Sequence, residues 1–147
     1  MSHSLYKIWL HIVFSTHRRE PMITPKLEPF IFRHIRHMLI ESGCYPLAIN
    51  GMPDHIHLLI QMNPNKSIAE IVKQVKGTSS HTINRSKIIK DQFAWQTGYG
   101  VFSVSESQLE KVRIYIFNQK KHHTKISFSD EIEKFTTITN YAIPSNP

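Results

Sequence analysis

An α+β fold, an antiparallel sheet with helices packed on one face, is predicted by three observations on this 147-residue chain. Apolar residues switch between period two and period 3.6 in the order strand, helix, strand, strand, helix, strand, helix. An Asn-Gly pair separates two of the strand segments, which is the strongest two-residue hairpin signal. Capping boxes at Ser67 and Ser105 stand where helical periodicity begins.

Leu5 to Ser15 reads as the first strand, with Ile8, Leu10, Ile12 and Phe14 at near-alternate positions. The basic residues His17, Arg18 and Arg19 follow it. Thr24 then offers an N-cap with Pro25 at the first helical position. Phe30, Ile31, Ile35, Met38 and Leu39 recur at helical spacing up to a terminating Gly43. Pro29 leaves the start of this helix open.

Tyr45 to Ile49 is the second strand, Asn50-Gly51 the turn, and residues 54 to 62 the returning strand. Ser67 with Glu70 opens a helix whose Ile68, Ile71, Val72 and Val75 form one apolar stripe. Residues 78 to 99 are polar and basic and end in a Gly-Tyr-Gly kink, after which Val101 to Val104 reads as a short strand. Ser105 with Gln108 opens a third helix, buried along Leu109, Val112 and Ile116. The order β-α-β-β-α-β plus one helix is the split β-α-β, ferredoxin-like arrangement. Residues 1–125 are expected to form one domain. Residues 126–147 read as a tail with a short helix and an acidic patch of Asp130, Glu131 and Glu133, to which the sequence assigns no chemistry.

Composition narrows the function classes. The start of the chain lacks a signal-peptide pattern and no apolar run is long enough to span a membrane, so a cytoplasmic protein without a membrane partner is expected. Cys44 is the single cysteine, which excludes an intramolecular disulfide and a cysteine-based metal cluster. A formal charge of +7, with basic residues spread over several segments, points to a folded basic face and a polyanionic partner. Arg18, Arg19, Lys73, Lys76, Arg85 and Lys87 are the candidates for phosphate contacts, against the alternative that they serve solubility. Trp95 and Tyr99 could stack on bases, but for a Trp beside a Gly-Tyr-Gly kink packing is the favoured reading.

Two constellations carry chemistry. Strand alternation sends His55 and His57 to one face and Ile56, Leu58 and Ile60 to the other. In a chain with ten histidines a His-x-His pair is weak evidence alone, and two surface histidines are the bland alternative. Tyr115 and Gln119 lie one helical turn apart on a face shared with Gln108, Lys111 and His122. An ordinary helix-surface tyrosine competes with that reading. If the two constellations meet, two imidazoles and an amide oxygen make a site without an anionic ligand. A Mg²⁺ or Mn²⁺ ion there keeps its charge for a phosphate, while the nearby phenol attacks phosphorus. No phosphate loop is present, so no nucleotide cofactor is expected.

The runs Met52-Pro53-Asp54-His55-Ile56-His57-Leu58-Leu59 and Trp95 to Ser105, with Tyr115 and Gln119, resemble the HUH single-tyrosine transposases of small bacterial insertion sequences. REP-associated tyrosine transposases are similar too, and the resemblance covers about residues 5–125. It implies that His55, His57 and Gln119 hold the metal and that Tyr115 forms a 5′-phosphotyrosine and releases a 3′-hydroxyl. It also implies a homodimer that recognises single-stranded DNA hairpins near element ends. The rivals are a non-catalytic nucleic-acid-binding module and a hydrolytic His-based phosphoesterase. The first lacks its usual aromatic strand motif here. The second needs two equivalent His-x-Thr/Ser motifs, and only His122-His123-Thr124 comes near one.

Overall fold

The computed structural model describes residues 4–122 and 127–138. Its elements in chain order are β1 (Trp9–Ser15), α1 (Glu28–Glu41), β2 (Tyr45–Met52), β3 (His55–Gln61), α2 (Ile68–Ser86), β4 (Gly100–Val104), α3 (Leu109–Phe117), α4 (Gln119–His122) and α5 (Phe128–Ile138). The four strands form one antiparallel sheet in the order β2-β3-β1-β4. Each β-α-β unit thus admits a strand of the other between its own pair, the split arrangement that the element order predicts.

Alternation along the central strands divides the sheet into two chemically different faces. Leu10, Ile12 and Phe14 of β1 and Ile56, Leu58 and Ile60 of β3 join Ile31, Ile35 and Leu39 of α1 and Ile71, Val72 and Val75 of α2 in one core. The opposite face carries His11 and Val13 of β1 and His55, His57 and Leu59 of β3, all buried. The third helix does not join the first two. Asn50, paired with His57 across the sheet, donates to the carbonyls of Ile116 and Phe117 (3.0 Å each), which ties the end of α3 to the histidine face. The expectation of helices on one face therefore holds for α1 and α2 only.

The hairpin turn falls at Pro53-Asp54, since Met52 pairs with His55, and Asn50-Gly51 lies inside β2. A turn at Asn50-Gly51 would place Pro53 inside a paired strand, where its missing N–H breaks the ladder; as a turn residue its fixed φ is useful. Gly51 is required for a different reason. A Cβ there would lie 2.2 Å from the His55 carbonyl oxygen.

Three helix boundaries also move. Thr24 Oγ1 accepts from Leu27 N (3.2 Å) and so caps a separate turn, and α1 begins at Glu28 with Pro29 in its first turn, where no intrahelical donor is lost. The Ser67–Glu70 capping box forms as read, but α2 continues to Ser86. Thr78, Ser79 and Ser80 return their hydroxyls to carbonyls of the preceding turn, so the polar run is compatible with helix. Ser105 makes no side-chain cap, and a 3-10 turn over Glu106–Gln108 precedes α3.

Candidate active site

The site is assembled where the histidine face of β3 meets α3, α4 and α5. His55 and His57 sit two residues apart on a central part of the sheet and are 1% and 0% exposed, so neither is the surface histidine of the bland alternative. Tyr115, half-buried on α3, brings its ring to 6.1 Å from that of His57. Gln119 is fully buried, although α3 ends at Phe117 and Gln119 opens the short α4. The two predicted constellations therefore meet.

A fifth residue joins them. Glu131 of α5, 2% exposed, sets Oε1 2.8 Å from His57 Nε2 and 3.5 Å from His55 Nε2. Its Oε2 accepts from Gln119 Nε2 (3.0 Å) and from the Tyr115 hydroxyl. One ligand atom each from His55, His57 and Glu131 lies within 4.8 Å of the others. The ring of Phe128, one turn earlier on α5, stacks on His55 at 4.2 Å, and Arg19 lies 4.9 Å over Phe128 and donates to Ser129 Oγ (2.8 Å).

Both imidazoles are oriented from behind. His55 Nδ1 lies 2.7 Å from Asp54 Oδ1, an acceptor-only carboxylate, so Nδ1 carries the proton and Nε2 faces the site. His57 Nδ1 lies 2.8 Å from Nε2 of the buried His11. Alternation on β1 puts His11 on the histidine face, and that is the signal the sequence held for it. Asp54 was readable only as part of its motif. Glu131 had no local signal, because nothing in residues 126–147 tells where α5 docks.

The electrostatics follow from these contacts. Burial lowers His11 to about 3, helped by the charge of His57, so it stays neutral. For His55, burial opposes the charged ring, but the hydrogen bonds and charges of Asp54 and Glu131 outweigh it and raise the pKa. Burial would push Glu131 up, yet His55, His57 and the Tyr115 hydroxyl hold its carboxyl well below the usual carboxylate range. Asp54 is likewise held low against burial by His55 and Arg19. Burial, then the hydrogen bond to Glu131 and its charge, push the Tyr115 phenol above its ordinary value.

With this geometry in place, the sequence profile described as Transposase IS200 like matches residues 4–119. The chain belongs to the IS200-like transposase family. The ISDra2 transposase TnpA of Deinococcus radiodurans is 23% identical to it over 120 residues, covering 78% of this chain and 86% of that protein. A crystal structure of a Deinococcus radiodurans R1 protein assigned as a transposase superposes with a TM-score of 0.65 at 26% identity, over 81% of this chain and 95% of the other. A REP-associated tyrosine transposase bound to a REP hairpin shares the fold, with a TM-score of 0.61 at 15% identity over 86% of this chain and 76% of that one.

In this IS200-like transposase, the family-matched span contains His55, His57, Tyr115 and Gln119, while Glu131 lies beyond it. The donor set suits a divalent metal: two imidazoles, a carboxylate and an amide are ordinary ligands of such ions. Gln119 Oε1 is buried with no hydrogen-bond partner among the described residues, which is what an amide oxygen aimed at a cation would show. The buried Glu131 carboxylate stands among these groups, where the sequence led to a site without an anion. Among the described residues no helix is long and apolar enough to cross a membrane.

The candidate DNA-contacting residues fall in two places, the turn after β1 and α2, which packs on the sheet face opposite the histidines. Arg18 and Arg19 fall in the turn after β1, both with positive φ (55° and 56°), and Arg19 lies 3.9 Å from Asp54. Lys73 and Arg85 are exposed on α2, and Lys87 caps that helix in the left-handed region. Lys76 is occupied internally, donating to the carbonyls of Gln96 (2.6 Å) and Gly98 (2.8 Å). Trp95 packs edge-on to Phe14 and Phe93 and donates to Ser79 Oγ, in keeping with the packing reading. His123, Lys125 and the chain from residue 139 lie outside the described residues.

Proposed function

We propose that this transposase cleaves and rejoins single-stranded DNA by transesterification, with Tyr115 as nucleophile and His55, His57 and Gln119 as ligands of a Mg²⁺ or Mn²⁺ ion. The observation that carries the reading is the convergence of a buried His-x-His pair, Gln119 and the Tyr115 hydroxyl on a single carboxylate, Glu131. When bound, the ion supplies Lewis-acid polarisation of a phosphate oxygen. Asp54 and His11 contact the Nδ1 atoms of the two imidazoles from behind and so turn both Nε2 atoms toward the site. The phenol of Tyr115 attacks phosphorus: the Oη–P bond forms, the P–O3′ bond breaks, and a 5′-phosphotyrosine results, while the departing O3′ takes a proton from solvent to become the free 3′-hydroxyl. Glu131 Oε2 accepts the phenolic proton, for which it already lies in hydrogen-bond contact. Rejoining is the reverse attack by a 3′-hydroxyl on the phosphotyrosine, so the bond energy is conserved without a nucleotide cofactor.

The likeness to a transposase bound to a REP hairpin supports a hairpin-bearing single strand as substrate. A homodimer is part of this proposal on the strength of the resemblance, and light scattering of the purified protein tests it. The overall test is cleavage of end-labelled single strands from the flanks of the gene with and without Mg²⁺. Metal-dependent nicks that leave a 3′-hydroxyl and a protein-blocked 5′ end are expected. Cleavage that persists in EDTA, or leaves a free 5′-phosphate without any covalent product, would contradict the reading.

A further inference from the structure

Gly77 sits in the interior of α2 at an exposed position where an added Cβ would meet nothing within 4 Å. Glycine weakens a helix interior relative to alanine, and neither packing nor backbone conformation asks for it here. The position is informative because of its neighbours. Lys73, Gly77, His81 and Arg85 follow one another at four-residue intervals and so form one stripe along the helix, all of it exposed. The one acidic residue of α2, Glu70, is in the first turn, engaged in its capping box.

Gly77 also lines an open groove between α2 and residues 92–97, with Ser80, Asn84, Gln92, Gln96 and Thr97. The far wall of that groove is fixed in place. Asn84 clamps both backbone groups of Phe93 (2.7 and 3.0 Å), Trp95 donates to Ser79, and Lys76 holds the carbonyls of Gln96 and Gly98. The same segment is bonded to the end of β1 through Gln96 N to Ser15 O (2.8 Å) and His17 N to Ala94 O (2.9 Å). Thr16 N in turn bonds the carbonyl of Asp54, the residue before His55 (2.9 Å). The far wall of the groove is therefore tied to the end of β1 and, through Thr16, to the residue before His55, with α2 on the sheet face opposite the histidines.

We propose that this groove seats the sugar–phosphate backbone of a DNA strand, with Gly77 as the point of closest approach and Lys73, His81 and Arg85 beside the phosphates. A groove of mixed lining, with Phe93, Ala94 and Trp95 beside its polar groups, that adjoins the exposed basic stripe of α2 suits a nucleic-acid strand better than an apolar peptide, and a backbone pressed against a helix needs the side chain removed there. The proposal rests on the DNA-processing reading above and adds to it where the strand runs.

The test is fluorescence anisotropy in EDTA with a labelled DNA hairpin from the gene's flanks, so that binding is read without cleavage. Gly77→Ala should raise the thermal midpoint by about 2–4 °C and weaken hairpin binding by on the order of tenfold. Lys73→Ala and Arg85→Ala should each weaken binding and reduce the salt dependence by about one phosphate contact, while Arg33→Ala on α1 should change neither. A more stable Gly77→Ala protein that binds as tightly as wild type would overturn the groove and leave the transposase reading intact. No binding by wild type would remove both, and tighter binding of the corresponding RNA hairpin would overturn the choice of DNA.

Discussion

Replacing His11 by Gln should flatten the acid side of the metal-free protein's stability profile. Burial, then the charge of His57, lowers the His11 pKa from 6.5 to about 3, while Glu131 acts weakly in the opposite sense. Between those values the unfolded chain binds a proton that the folded chain refuses, so stability from this group is full above the unfolded pKa and falls as pH drops. Each unit is about 1.36 kcal/mol, so the loss between about pH 6.5 and about pH 5 is about 2 kcal/mol in wild type. Glutamine offers an oxygen that can accept from His57 Nδ1 and does not titrate, so this contribution disappears. His55, whose pKa is raised, acts in the opposite direction in both proteins and cancels in the difference. Urea unfolding in EDTA at the two pH values measures the difference directly. A wild-type and His11→Gln pair with parallel pH dependences would show that His11 is not held neutral by burial, and would undo the account of how His57 is oriented.

Three other outcomes follow from particular contacts. His57→Ala should abolish strand cleavage while leaving hairpin affinity within about twofold, because phosphate contacts elsewhere carry affinity; normal cleavage on a sequencing gel would sink the metal assignment. Glu131→Gln keeps the shape of the side chain but removes its charge beside His55 and His57, so Mn²⁺ affinity by calorimetry should fall at least about tenfold, and unchanged affinity would remove the carboxylate from the metal's surroundings. Gly51→Ala should lower stability by about 3 kcal/mol, since the new methyl meets the backbone carbonyl of His55; an unchanged melting curve would contradict the β2–β3 register.

What the sequence made legible is what short-range periodicity encodes. Alternation alone put His55 and His57 on one face, and helical spacing alone put Tyr115 and Gln119 together, because both relations are local. The hairpin was misplaced because Asn50-Gly51 carries a strong turn signal, while the constraint that overrides it, Pro53 being excluded from the ladder, acts through pairing. Asn50 serves instead as a donor to the end of α3, a contact across 66 residues. The length of α2 was hidden by hydroxyl-rich residues that read as loop until their back-bonding is seen. Glu131 was illegible for the plainest reason: its role exists only once α5 packs Phe128 on His55. His11 was within reach, since it shares the strand face opposite the core residues Leu10, Ile12 and Phe14.

The central claim is that the Tyr115 hydroxyl, now held against Glu131 beside the two histidines, becomes covalently joined to DNA. The most direct measurement is a denaturing gel of protein incubated with Mg²⁺ and labelled single strands from the gene's flanks, wild type beside Tyr115→Phe. A metal-dependent, label-bearing protein band in wild type and none in Tyr115→Phe is the predicted result. An adduct that persists in Tyr115→Phe, or DNA binding with no adduct on any flanking strand, would contradict it.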